Sequence, residues 1–594
     1  MNRFTVPMLL SAATLAASNY ATAATPSPAW IEKSNAAAQM LLKTQAEFNP
    51  ENASQQGMAE YDDKVIDLKP DLEARERAAT LAAIRQLRSQ LEQENDLKVQ
   101  QDLRIMIRAA ELANEGHDLN ERYMLLYEDV GQDIFSGQFA LLQDQVAPAR
   151  RAQALVRLKR YLGLEAGYTP LIKLAQARFE ALHGNARLLG PYSKEIEQAL
   201  GNTGEYVDGI RQLYAKYKIA GAEAALSALQ QQLDDYSAWT KSVVMPRARS
   251  DFKLPPELYA FQLKQIGVDI PPAQLMREAQ LEFMETQAAM QLIAPMVAKS
   301  QGINASDYRD VVNVLKKQQL DKQSIEPHYH AIIGRIEEII RRENIITLPQ
   351  RPMVMRTASD AESAQVPAPH MQPPPLVNNQ GESGEFILSL GVPASTGVAN
   401  ARFDDFTYKA AAWSLTAHEG RPGHELQFAG MLEGGVSLAR SVFSFNSVNV
   451  EGWALYSEAE MLPYEPQEAQ LAALDARLLR AARAFLDPML NLGLITPERA
   501  HDILVHDVCA SEALAQEELD RYTFQSPGQA TSYFYGYARL MQLRAEAQIA
   551  MGPRFNRKAF NDFVVSQGLL PPDELAHEVR KDFVQPTLLA GQKS

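Results

Sequence analysis

Leu81-Ala82-Ala83-Ile84-Arg85-Gln86-Leu87-Arg88-Ser89-Gln90-Leu91 spaces its large apolar residues three, three and four positions apart. That spacing is one face of an α-helix, with charged and amide side chains filling the others. The amphipathic pattern runs from about Leu68 to Glu115 and recurs at 119–163, 168–185, 192–215, 221–245, 272–300, 306–318 and 326–343. Gly190-Pro191, Pro255-Pro256 and Pro271-Pro272 stand between these stretches, where breaks belong. The spacing therefore predicts a mostly α-helical chain, with an N-terminal helical region over 24–343. Long charged helical faces are solvated by default.

The pattern changes over 344–400. Ile345–Leu348, Met353–Met355 and Phe386–Leu388 are short runs of strand type, and Pro367, Pro369, Pro373, Pro374 and Pro375 lie between the last two. Those prolines exclude a helix, because each lacks a donor and clashes with the preceding turn. A linker and a small sheet are the two readings, and three apolar runs of strand length favour the sheet. Helical patterns resume at about 403–420 and continue, with breaks, to about 585, which makes 401–594 a second helical region.

The composition narrows the function. With 46% hydrophobic and 22% charged residues the chain is globular. A net charge of −15 argues against nucleic acid as the main partner. The one cysteine, Cys509, excludes an intramolecular disulfide and a Cys-rich metal knuckle. Residues 1–23 carry Arg3, an apolar stretch over Phe4–Ala17 and the small residues Ala21-Thr22-Ala23, the layout of an export signal. The apolar run is too short to span a bilayer. A periplasmic or secreted protein with no membrane span after signal removal is expected.

Ala417-His418-Glu419-Gly420-Arg421-Pro422-Gly423-His424-Glu425-Leu426-Gln427 concentrates groups that bind metal and move protons. Two imidazoles and a carboxylate form a usual catalytic zinc site, with a fourth position for water. In HExxH metallopeptidases the residue after the first His is the general base, and the ligands at i and i+4 share a helix face. Here His418 and His424 are six apart, about 120° round an unbroken helix. Pro422 cannot donate to the carbonyl of His418, so the helix must bulge or break between Gly420 and Gly423. Gly423 makes an unusual backbone angle accessible, and such a break could return His424 to the side of His418.

Asn449-Val450-Glu451-Gly452-Trp453-Ala454-Leu455-Tyr456-Ser457-Glu458 reads as the start of a helix with two acids seven apart on one face. Glu451 is the expected third ligand from an adjacent helix. Glu458 could hydrogen-bond a ligand His and fix its tautomer. The expected cofactor is one Zn²⁺ per chain on His418, His424 and Glu451, with Glu419 as general base.

These two motifs, His418-Glu419-x-x-Pro422-Gly423-His424-x-x-Gln427 and Glu451-Gly452-Trp453-Ala454-Leu455-Tyr456-x-Glu458, resemble the bacterial domain-of-unknown-function 885 proteins, which are similar to Glu-zincin peptidases of mostly helical fold. The resemblance implies a large helical metallopeptidase-like fold with a small β-sheet beside the active-site helices. The family usually carries two adjacent His where this chain has His424-Glu425. Pro527-Gly528-Gln529-Ala530-Thr531-Ser532-Tyr533-Phe534-Tyr535-Gly536 and Arg544 also match it. Read as a helix, Gln529, Tyr533, Gly536, Tyr537, Leu540 and Arg544 share a face. Tyr533 is the candidate donor to a developing oxyanion, with Tyr535 and Tyr537 behind it. Arg544 is the candidate receiver of a substrate carboxylate. The competing readings are a Tyr-rich packing face and a structural ion pair. Gln427, Gln529 and Glu458 complete the expected surroundings.

The expected function is metal-dependent hydrolysis of a peptide or small amide. A hydrolase of another amide or ester and a non-catalytic exported metal-site protein are the alternatives. The remaining eight histidines are mostly scattered, and Cys509 lacks a nucleophile signature.

Overall fold

The computed structural model describes residues 28–69, 71–390 and 404–590. The expected signal at 1–23 lies outside them. Among the described residues helices dominate and one three-stranded sheet is present. The helices follow the apolar periodicity with several departures, among them the 119–163 stretch, which breaks into Val130–Phe139, Pro148–Arg151 and Gln153–Tyr161 after the end of the helix before it. The 68–115 pattern divides into helices Leu72–Gln93 and Leu97–Tyr123, because Asp96 accepts from the backbone N–H groups of Lys98 and Val99 and starts the second. Pro256 and Pro272 do not merely break the chain. Each opens a helix, Pro256–Ile266 and Pro272–Gln301, at the first turn where a missing N–H costs nothing. The first of these falls outside the predicted helical stretches.

Apolar burial arranges the helices around three large clusters. One holds Phe135, Leu158, Tyr161, Tyr206 and Leu229, and is built almost wholly from helices between 130 and 239. A second lies between helices Pro272–Gln301 and Gln467–Asn491. The third joins the first helix, Ala29–Ala46, and helices Leu97–Tyr123 and Ile325–Glu343 to the C-terminal third through Leu41, Met106, Ile336, Phe386, Trp413 and Trp453. Buried polar contacts make the same connection. Asp102 accepts from Ser34, Ser437 and Arg440 at 2.6, 2.6 and 2.9 Å. The N-terminal helices are thus part of the wall around residues 411–461.

The sheet has order β1-β3-β2, with β1 (Val354–Thr357) parallel to β3 (Glu385–Leu388) and β2 (His370–Gln372) antiparallel to it. Central β3 is fully buried, and Phe386 packs edge-on against Tyr329. Two of the three apolar runs are accounted for. The third, Ile345–Leu348, is not a strand. Ile345 and Ile346 insert into the core, and Thr347 donates to Asp562 through N and Oγ1, each at 2.8 Å, so side chains replace strand pairing. The remaining strand lies in the proline-rich stretch, where His370–Gln372 fits between Pro369 and Pro373. Among the described residues no helix is long and apolar enough to cross a membrane.

Candidate metal centre

The helix Ala411–Glu419 is buried along its whole length and carries His418 and Glu419 in its last turn. It ends at Gly420, and a new helix, His424–Gly434, begins after Gly423. The break falls where Pro422 requires it. A Cβ on Gly423 would sit 1.9 Å from the carbonyl oxygen of His418, so only glycine allows this approach. Trp453 holds the break from the next helix, with Nε1 3.0 Å from the Pro422 carbonyl oxygen and 3.2 Å from that of Gly423. Arg421 holds it from outside, donating to Glu425 Oε2 at 2.6 Å, Glu337 Oε1 at 2.7 Å and the Arg351 carbonyl at 2.7 Å. Residue 351 lies just before β1, which fixes the sheet beside the site.

This geometry explains the unusual Glu425. It is fully buried, faces Arg421 and completes an ion pair that sets the turn between the two histidines. Arg421 carries no metal-binding or proton-transfer signature of its own in the sequence. Its signal was available as an Arg–Glu pair at i, i+4.

Glu451 comes from helix Ser447–Met461, whose first turn is capped by Asn446 accepting from Asn449 N. Gly452 on this helix meets Gly536 on helix Ser532–Met551 backbone to backbone, and a Cβ on Gly452 would lie 2.5 Å from the Gly536 carbonyl carbon. The close crossing brings Tyr533 onto the His418 ring, with centroids 6.0 Å apart and planes within 16°.

The three expected ligands converge. His418 Nε2 is 3.4 Å and His424 Nε2 3.3 Å from Glu451 Oε2, and all three atoms lie within 4.8 Å of one another. Two ligands about 2.0–2.1 Å from a tetrahedral zinc are about 3.3 Å apart, so these two gaps suit an ion of that size. Glu451 Oε2 and His424 Nδ1 are buried without hydrogen-bond partners, and native proteins rarely leave such atoms unsatisfied. Glu419 Oε1 lies 3.9 Å from His418 Nε2.

Glu458 accepts from His418 Nδ1 at 2.7 Å and from Ser414 Oγ at 2.7 Å, with Arg480 3.7 Å away. His418 therefore carries its proton on Nδ1 and turns Nε2 toward the ligand cluster. Burial works against a charged imidazole, yet the facing carboxylates of Glu451, Glu458 and Glu419 push the His418 pKa up to about 9. Burial likewise opposes a charged Glu451, but the imidazoles of His418 and His424 that face it hold the carboxyl well below the usual range.

Tyr533 is buried, and its hydroxyl oxygen accepts from Arg521 Nη2 at 2.8 Å. Arg483 lies over its ring, 4.6 Å from the centroid. Burial raises the phenol pKa, so the hydroxyl keeps its proton. Arg521 and Arg483 were not singled out in the sequence, because no spacing rule connects them to Tyr533.

Three flanking candidates take other positions. Gln529 precedes the helix, in a tight turn over Gln529–Thr531, so it does not extend the Tyr533 face. It bonds Arg521 and donates to Ser447 Oγ at 2.9 Å. Gln427 donates to Asn449 Oδ1 at 3.0 Å, while its own Oε1 is buried and unpartnered. Arg544 pairs with Glu460 and donates to Tyr456. It lies about 16 Å along the helix axis from Tyr533, and Glu460 and Tyr456 engage its guanidinium. The Cys509 thiol is buried and its pKa is pushed up by burial, which disfavours the thiolate.

Fold and centre together define a mostly helical protein with two histidines and a glutamate gathered behind a helix break. The chain belongs to the family described as "Bacterial protein of unknown function (DUF885)", whose model matches residues 50–579. No curated protein matches it. Its fold is similar to that of a "putative lipoprotein" from Colwellia psychrerythraea, with TM-score 0.71 and 18% identity, covering 93% of this chain and 99% of that one. A second similar structure is a "putative lipoprotein of unknown function" from Shewanella oneidensis, with TM-score 0.64, 18% identity and coverage of 93% and 100%.

Proposed function

We propose that the protein is an exported zinc-dependent metallohydrolase of Glu-zincin type, and that its reaction is hydrolysis of a peptide bond. The observation that carries the reading is the convergence of His418, His424 and Glu451 with Glu419 beside them and Glu458 behind His418. A zinc ion bound there lowers the pKa of water and polarises a carbonyl. Glu419 accepts the proton that the attacking water loses. Tyr533 donates its hydroxyl hydrogen to the oxygen of the attacked carbonyl as that oxygen gains charge. Arg521 occupies the phenol oxygen and leaves the hydrogen free for this role. Glu458 keeps His418 in the tautomer that turns Nε2 toward the cation. An extended peptide could add to an outer strand of the small sheet, which matches main-chain recognition. Export is supported by the signal layout of residues 1–23 and by the "putative lipoprotein" description of both similar structures.

The test is metal content by elemental analysis on the mature protein and on Glu451→Ala, followed by a peptide-library screen. One zinc per chain in the first, little in the second and peptide turnover by the first alone are expected. Metal with turnover only of other amides or esters moves the substrate class. Metal without any turnover favours a non-catalytic metal-site protein. Absence of metal after zinc is added back removes the proposal.

A further inference from the structure

Two arginines lie near Glu518, and its hydrogen bonds go to one of them. Arg483 donates through Nε to Oε2 at 2.8 Å and through Nη2 to Oε1, and Tyr522 donates to Oε2 at 2.7 Å. Arg521, which follows helix Glu512–Asp520, stands 3.9 Å from Oε1 through Nη1. The hydrogen bonds of Arg521 all end on neutral oxygens. Nε and Nη2 donate to Gln529 Oε1, and Nη2 donates to Tyr533. Nη1 has no hydrogen-bond partner among the described residues, and the side chain is 19% exposed. Asp487 and Glu517 also feel its charge, but Asp487 accepts from Tyr259 and from Gly528 N instead. Burial pushes these two carboxyls up to about 7 and about 8. A largely buried guanidinium with no carboxylate of its own is unusual, because buried charges are normally paired.

Arg521 adjoins the metal centre. The Tyr533 hydroxyl oxygen accepts from it, and the Glu451 carboxylate lies near enough to raise the same phenol. Gln529, which orients the guanidinium, donates at 2.9 Å to Ser447 on the helix that carries Glu451. We propose that Arg521 receives the free C-terminal carboxylate of the substrate, so that the enzyme removes the last residue of a peptide. The proposal rests on the metallopeptidase reading above. Tyr533 Oη would lie about 2.7 Å from the carbonyl oxygen it serves, and Arg521 Nη2 is 2.8 Å from Oη. The guanidinium is then about 5 Å from that carbonyl oxygen. One residue spans about 3.5 Å of chain, and an N–H···O bond adds about 2.9 Å. A carboxylate on the residue directly after the cleaved bond therefore reaches Arg521, and one residue further overshoots it. The water oxygen bonds to the carbonyl carbon, the C–N bond breaks, and the proton taken from water passes to the leaving amine. The products are a shortened peptide and a free amino acid. Neighbouring arginines are committed elsewhere, Arg477 to Glu282 and Arg544 to Glu460.

Equilibrium dialysis of Glu419→Gln protein against a mixed tripeptide pool, half with free C-termini and half amidated, reads binding without turnover by mass spectrometry. Free acids should be held about 10- to 100-fold more tightly than amides. Adding Arg521→Gln should bring that ratio to about one. Arg521→Lys should keep part of it, because the charge remains and the paired fork is lost. Wild type given the same pools should release single amino acids from the acids in preference to the amides. Equal retention of acids and amides overturns the proposal without any change at Arg521. So does an acid preference that survives Arg521→Gln in protein of unchanged circular dichroism and zinc content. An acid preference that depends on Arg521, with no peptide cleaved by wild type, would keep the carboxylate site and remove the peptidase reading. Peptide turnover indifferent to the C-terminus would keep the peptidase reading and remove the carboxylate site.

Discussion

Two buried clusters of charge lie against the same tyrosine, and they are built on opposite principles. Behind Tyr533, Arg483 donates through Nε to Glu518 Oε2 at 2.8 Å and through Nη2 to Glu518 Oε1, while Tyr522 donates to the same carboxylate at 2.7 Å. That cluster is closed, because its cation and anion satisfy each other. In front of Tyr533, His418, His424, Glu419, Glu451 and Glu458 gather with Glu451 Oε2 left unpartnered between the two imidazoles. That cluster is open. A buried ion pair completes itself within the fold, since leaving either member alone is strongly unfavourable. A site for an external ion must instead leave its ligand atoms uncommitted. The comparison separates self-satisfied charge from unsatisfied charge without appeal to residue type, because both clusters contain buried glutamates.

Four variants or conditions sharpen this contrast, the largest effect first. Glu419→Gln should reduce kcat by about 10²- to 10⁴-fold while zinc content stays the same, since the base is removed and the ligands are not. Metal-replete Glu419→Gln that still turns over at the wild-type rate removes Glu419 from the mechanism. Glu518→Ala should do the reverse. It leaves Arg483 buried without its partner and should lower unfolding free energy by about 3–5 kcal/mol in denaturant titration, with zinc content retained. If it instead lost metal and kept stability, the two clusters would not be separable.

Glu458→Gln should weaken zinc affinity by about 10- to 100-fold in chelator competition, because the hydrogen bond that orients His418 loses its charge. An unchanged affinity would make Glu458 a passive neighbour. The smallest effect expected is one of pH. Burial opposes a charged Glu518, but the charge and hydrogen bonds of Arg483 outweigh it and push the carboxyl pKa down from 4.5 to about 2. A depressed folded-state value contributes stability that is present above the unfolded value and lost as pH falls through the folded one. Unfolding free energy should therefore decline from about pH 4.5 to about pH 2, and Glu518→Gln should flatten part of that decline. A variant with the wild-type slope would exclude Glu518 as its source.

Much of this arrangement was legible locally. Pro422 forbids a continuous helix through the two histidines, and the helix does end at Gly420 and restart at His424. The seven-residue step from Glu451 to Glu458 predicts one helix face, and both carboxylates reach His418. What escaped was non-local. Arg421, Glu337 and the Arg351 carbonyl meet across as many as 84 residues of sequence. Gly452 and Gly536 are separate glycines in the sequence and one backbone crossing in the fold. Ile345–Leu348 has the composition of a strand, but neighbouring elements supplied Asp562 rather than a strand partner. Arg544 and Tyr533 share an element, yet their separation along it and the presence of Glu460 put them in different surroundings.

The helical character, the forced break at Pro422 and the chemical types able to hold a cation follow from the residues alone, because backbone sterics, helical period and ligand chemistry act over a few residues. Which carboxylates close on an arginine and which stay open beside the histidines is set by the folded packing. That choice depends on packing among helices far apart in the chain, and it is packing that sets which buried charges find partners.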